Sequence, residues 1–279
     1  MGHLLKIGAT CAMGAPTGSP FPIRTDDYLA TADWLADKGF DSMEVHIRAP
    51  GLVDGAKLAG HCAKIGLEIS SIGTGQAYGM EGLSITSTDR TVRRAAVQRL
   101  KDHLDLGAVL GCPVIIGSMR GEIGKGQTFE QVDRLMVDSM RELADHAEKT
   151  GTEIVIEAID RFETNYLHTA EDVLGLIGRV GSDRVKVHLD TFHMNLEETD
   201  WRTPILRCGR HLGHVHVADN SRNHPGRGLL DFRPIIGALM EIGYDRSLTI
   251  ECYPVPDGPT AALRGLEHLN AVMEAYRGR

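Results

Sequence analysis

The chain has no apolar run near the roughly 20 residues that a bilayer-spanning helix needs, no CxxC pair and no excess of positive charge. The first absence leaves no membrane segment to propose. The opening MGHLLKIGAT carries neither a basic leader nor a long apolar stretch, so a cytoplasmic protein is expected. Five cysteines (Cys11, Cys62, Cys112, Cys208, Cys252) are odd in number and widely scattered. That pattern speaks against a disulfide framework or a zinc ribbon, and for small buried side chains in a reducing compartment. The formal net charge of −8 comes without the clustered lysine and arginine that displace phosphate counterions, so no nucleic-acid partner is expected. Phosphate-cradling glycine motifs are missing as well. GTGQAYG lacks the GxGxxG spacing, and GEIGKG lacks the first glycine and the final Ser/Thr of a P-loop. A small neutral or modestly charged substrate is the natural partner.

What is present is an alternation. Eight short strand-like runs are predicted, at Lys6 to Ala9, Ser42 to Ile47, Glu68 to Ile72, Val114 to Gly117, Glu153 to Glu157, Val185 to Asp190, Leu212 to Val217 and Ser247 to Cys252. Helical patterns fall between them near Asp26 to Asp37, Asp89 to Leu110, Ala170 to Ile177, Phe232 to Ile242 and Ala261 to Tyr276. Thr128 followed by Gln131 forms a capping-box pattern, after which Val132, Met136, Met140, Leu143 and Ala147 share one face until Gly151 ends a further helix. Strands alternating with helices make an α/β fold with a parallel sheet, and eight such units close into a single (β/α)8 TIM barrel spanning residues 1–279. No repeat, low-complexity tract or proline-rich linker interrupts it. Two longer glycine-rich connections, Gly73 to Asp89 and Ser118 to Gln127, would lie on the C-terminal face, where loops shape access.

Four potential metal ligands sit at the ends of four successive strands: Glu157, Asp190, His216 and Glu251, spaced 33, 26 and 35 residues apart. Each would come from its own barrel strand. The outer two strands stand about 135° apart around the axis, so Glu157 and Glu251 would approach a central ligand from nearly opposite sides. Three carboxylates and one imidazole make a hard site suited to Mn²⁺, and to Mg²⁺ or Co²⁺, while Zn²⁺ also tolerates such donors. A lone strand-end acid is most often a cap or an ion pair. Four in consecutive strand ends point to a metalloenzyme.

The segments IEAIDRFETNYLHTAEDVL, VKVHLDTFHMNLEE, GHVHVADNSRNHPGRGLLDF and TIECYP resemble the ketose 3-epimerase branch of the xylose isomerase-like TIM barrels. The match is most specific from Glu157 to about Gly258, with TGQAYGMEGLSITS resembling the family in the first half. The resemblance implies that Glu157, Asp190, His216 and Glu251 hold one divalent metal, Mn²⁺ first. It also implies that Glu163, His193 and Arg222 hold the carbonyl and hydroxyl end of a sugar, and that the chain forms a dimer or tetramer. The implied reaction inverts C3 of a ketose or keto-sugar acid through a cis-enediolate, with Glu157 and Glu251 as the acid/base pair. Arg120, with Arg222, Arg227 and Lys125, could recognise a carboxylate or phosphate at the far end of the sugar, an exposed loop charge being the simpler reading. An aldose-ketose isomerase, or a metal-dependent lyase or decarboxylating transferase acting on a sugar acid or sugar phosphate, would use the same groups.

Overall fold

In the computed structural model, which describes residues 5–277, the strand-helix alternation closes into a barrel. In chain order the elements are β1 (Lys6–Ala12), β2 (Ile23–Arg24), α1 (Tyr28–Asp37), β3 (Ser42–His46), α2 (Gly55–Ile65), β4 (Glu68–Gly73), α3 (Gly75–Glu81), α4 (Arg90–Leu110), β5 (Val114–Ile116), α5 (Phe129–Thr150), β6 (Ile154–Glu157), α6 (Ala170–Val180), β7 (Val185–Asp190), α7 (Thr191–Glu197), α8 (Arg202–Cys208), β8 (Leu212–Val217), α9 (Phe232–Glu241), β9 (Ser247–Ile250) and α10 (Gly258–Arg277). All strand pairings are parallel, in the order β2-β1-β3-β4-β5-β6-β7-β8-β9, and β9 returns to β1 with Ile7 opposite Leu248. β2 is a two-residue appendage on β1. The other eight strands form the closed ring that the spacing predicts.

The strands are buried on both faces, as helix-covered parallel strands must be. Along β7 the two-residue period puts Val187 and Leu189 in the apolar core, while His188 and Asp190 turn to the barrel interior among His214, His216 and Glu157. Helices end where the local chemistry ends them. Thr128 and Gln131 complete the capping box of α5, and Gly151 stops it at a φ of 75°, a left-handed conformation that glycine adopts without steric cost. Thr169 and Asp172 repeat the box at α6. The five cysteines are buried and unpaired, as expected. No described helix is long and apolar enough to cross a membrane.

Four helices were not foreseen: α2, α3 and the two seven-residue helices α7 and α8. α2 buries only Gly55, Leu58 and Cys62, too few to mark a stripe in sequence, although Asp54 caps it through the Lys57 amide at 3.0 Å. α3 lies inside the stretch expected to be a glycine-rich loop. It ends at Gly82, in left-handed geometry at a φ of 69°, and it places Gln76 and Met80 on the wall of the central cleft.

Candidate active site

The four strand-end residues come together. Glu157 closes β6, Asp190 closes β7, His216 lies one residue from the end of β8, and Glu251 follows β9. Each offers an atom, and these atoms all lie within 4.8 Å of one another. Asp190 also caps α7, its Oδ1 accepting from the Phe192 amide at 2.8 Å. Its Oδ2 and the Nδ1 of His216 are buried without a hydrogen-bond partner. Buried polar atoms are nearly always paired, so an unpartnered carboxylate oxygen and an unpartnered ring nitrogen among three carboxylates are chemically incomplete. A divalent cation fits that donor set.

The electrostatics separate the two glutamates. Burial, reinforced by the charge of Glu251 and opposed by His193, pushes the Glu157 carboxyl up to about 7. Burial pushes Glu251 the same way, but His216 and Arg222 outweigh it and hold Glu251 below the usual carboxylate range. Without a cation, the surroundings thus favour the protonated form of Glu157 and the ionised form of Glu251. The place of Glu157 depends on Gly117 after β5, where an added Cβ would stand 2.6 Å from Glu157 Oε2. Gly117→Ala is therefore expected to displace the carboxylate and lower kcat by about 10²-fold. Turnover measured beside a circular-dichroism spectrum checks this, and unchanged kcat would refute it.

Around the cluster opens a cleft of about 260 Å³, bordered by Phe21, His46, Gln76, Met80, Ser118, Glu157, Glu163, His193, His216, Arg222 and Glu251. Its size suits a monosaccharide. A larger depression of about 540 Å³ lies at the opposite end of the barrel, beside Lys6, Glu68 and Arg246, and lacks converging catalytic groups. His193 is buried, with Nδ1 2.5 Å from Asp160 Oδ2 and Nε2 3.8 Å from Glu157 Oε1. Burial would lower its pKa, but the Asp160 hydrogen bond and the charge of Asp190 raise it, favouring a ring that presents an N–H to the cleft. Arg222 donates to Glu163 and, at 3.0 Å, to Glu251 Oε2, and its guanidinium lies 4.9 Å from the centre of the Phe192 ring. Its backbone is held at a φ of 56°, unusual for a residue with a side chain, by bonds from its amide to Asp219 and from the Tyr253 amide to its carbonyl.

Arg120 is placed differently from its companions. It is wholly buried and does not border the cleft. Its Nη1 donates to the Leu167 carbonyl at 3.0 Å, while Nε and Nη2 have no partner. It borders a side cavity of about 50 Å³ shared with Ser118 and Glu163. Arg227 donates to the Val255 carbonyl at 2.9 Å and likewise does not border the cleft.

Three buried residues of the site escaped sequence reasoning. Asp160 holds His193 and also accepts from the amides of Phe162 and Glu163, turning the chain so that Glu163 reaches the cleft. Glu44 and His46 point inward from β3 and lie 2.5 Å apart. The available signal was a pair of ionisable residues at alternate positions of SMEVH, a strand otherwise fit only for burial.

A model of the xylose isomerase-like TIM barrel family matches residues 32–272. The chain is similar to an L-ribulose 3-epimerase of Mesorhizobium japonicum, 33% identical over 221 residues that cover 78% of this chain and 72% of the relative. It is also similar to a D-psicose 3-epimerase of Enterocloster bolteae, 29% identical over 83% of this chain and 79% of the relative. A solved L-ribulose 3-epimerase structure superposes with a TM-score of 0.84 at 26% identity, covering 98% of this chain and 96% of that one. With the match running through nearly every strand of the barrel, the chain belongs to the xylose isomerase-like TIM barrel family.

Proposed function

We propose that the chain is a metal-dependent sugar epimerase that inverts C3 of a ketose, or of a keto-sugar acid, through a cis-enediolate. The observation that carries the reading is the convergence of Glu157 and Glu251 on one cleft, beside Asp190 and His216. The names of two relatives, both 3-epimerases of ketoses, support it. Glu157, Asp190, His216 and Glu251 would hold the cation, Mn²⁺ first and Mg²⁺ or Co²⁺ next. When bound, it would supply a Lewis acid that lowers the cost of negative charge on the sugar oxygens O2 and O3.

The protein's own groups do the proton work. One glutamate takes the proton from C3, leaving its electron pair in the enediolate. The other gives a proton to C3 from the opposite face, and each carboxylate returns to its starting state by exchange with water. His193 and Arg222 donate to the oxygen at C2, and Glu163 orients neighbouring hydroxyls. An anionic far end would reach Arg120 only through the side cavity, whereas a free ketose needs no such partner, so the uncharged ketose is the first substrate class. The cytoplasm and a homo-oligomer complete the proposal.

The test is NMR of the Mn²⁺-supplied protein in D₂O with ketopentoses, ketohexoses and keto-hexonates. Deuterium at C3 together with the C3 epimer is expected. Label at C1 or C2, or loss of water or carbon dioxide, would replace the assignment with an isomerase or a lyase.

A further inference from the structure

Below the carboxylate cluster lies a second polar layer, centred on Glu44 of β3, which is wholly buried and stands opposite Thr10 of β1 and Ser71 of β4. Glu44 Oε1 lies 2.5 Å from His46 Nε2 and 2.9 Å from His216 Nε2. Its Oε2 lies 2.6 Å from His214 Nε2 and accepts the Ser71 hydroxyl. An ionised carboxylate has acceptors only, with about four lone-pair sites. Four donors occupy them here, so each of the three rings must carry a hydrogen on Nε2.

For His216 this has a specific result. A neutral ring with its hydrogen on Nε2 keeps a lone pair on Nδ1. Nδ1 is the atom that faces the cluster, 3.7 Å from Glu251 Oε2 and 4.0 Å from Glu157 Oε1, with no hydrogen-bond partner of its own. The opposite tautomer would aim a hydrogen at the place a cation must occupy and leave Glu44 with an unprotonated neighbour. Turning the ring over would take Nε2 away from Glu44. We infer that Glu44 is a positioning residue of the metal centre: it fixes the tautomer and ring plane of His216 so that Nδ1 is the ligand atom, and its charge makes that nitrogen a stronger donor. The inference rests on the metal-site reading above. It adds a residue 172 positions away from its target, on the far wall of the barrel.

Glu44→Gln tests it, because the amide carries two hydrogens and one must meet a ring nitrogen that already has its own. Mn²⁺ titration calorimetry of the unaltered protein and of the variant, at one pH, is expected to show affinity lowered about 10- to 100-fold by the substitution. The loss of turnover should be smaller at saturating than at limiting Mn²⁺, as a defect in holding the cation requires. Equal affinities in the two proteins would overturn the inference while leaving the metal site in place. No binding by the unaltered protein would overturn both. Should the variant not fold, nitrogen-15 NMR of the unaltered Mg²⁺-loaded protein decides: a hydrogen on His216 Nε2 supports the inference, and one on Nδ1 refutes it.

Discussion

Glu157→Gln and Glu251→Gln are each expected to lower epimerisation by about 10²- to 10⁴-fold, the range for losing a positioned acid or base. Their side effects should differ. Glutamine in place of Glu157 removes a carboxyl that burial already disfavours as an anion, and it relieves repulsion with Glu251 and Asp190. The metal-free Glu157→Gln protein should therefore melt no lower than the unaltered one. Glutamine in place of Glu251 strips Arg222 of its buried partner at 3.0 Å, leaving Glu163, whose side chain is 45% exposed. Breaking a buried pair costs about 3–5 kcal/mol when nothing else compensates, and Glu163 offsets part of that. Glu251→Gln should melt clearly lower, as scanning calorimetry can show. The sharper readout is isotopic. If each glutamate serves one face of C3, each variant should still exchange deuterium into one epimer and not into the other, with no net inversion. Exchange into both epimers, or into neither, by both variants would sink the two-base reading.

Removing the cation should abolish turnover and reverse the dependence of stability on pH. Without it, Glu157 sits at about 7, and His216 is held at about 10 because Glu44 and Glu251 outweigh the effect of burial. Both lie above the ordinary values of 4.5 and 6.5. The stability each proton contributes is complete below the ordinary value and lost as pH rises through the folded one: between 4.5 and about 7 for Glu157, between 6.5 and about 10 for His216. At about 1.4 kcal/mol per unit, the Glu157 contribution is of the order of 3 kcal/mol. Metal-free protein should thus lose Tm steadily from pH 5 to pH 9 or so. A cation must displace these protons, so its affinity rises with pH, with about one to two protons released per ion. Excess Mn²⁺ should flatten or invert the Tm slope. A slope indifferent to Mn²⁺ would mean that the four residues hold no metal.

How much of this was legible in the sequence depends on the range of the interaction. VKVHLD was predicted to its ends because its alternation and its caps are both local. The four strand-end residues were legible as a set because the barrel repeats its unit at nearly constant length, so equivalent positions recur along the chain. β1 runs three residues beyond its expected end, to Ala12, because its ladder with β3 continues through Cys11 and Ala12, pairings that only the neighbouring strand supplies. α3 was hidden by its glycines, which read as turns until the tertiary structure shows a helix using them. Glu44 was hidden for a deeper reason: its partners His214 and His216 are more than 160 residues downstream, and an acidic residue in an apolar strand has no meaning until they are beside it.

The division of labour across the barrel carries a consequence for how such a protein changes over time. All four candidate ligands belong to β6, β7, β8 and the end of β9, whereas Phe21, Gln76, Met80 and Ser118, which complete the cleft, come from the first half of the chain. On the proposed function, the acid/base pair and the sugar-holding Glu163, His193 and Arg222 are inherited together on the second half of the gene, while part of the cleft wall is inherited on the first. A recombination or drift event confined to the segment from Gly73 to Asp89 would alter the wall at Gln76 and Met80 without touching the four candidate ligands. Glu44 is the thread that crosses between the two halves, so a first half transplanted from elsewhere must bring an equivalent carboxylate with it or leave His216 unanchored.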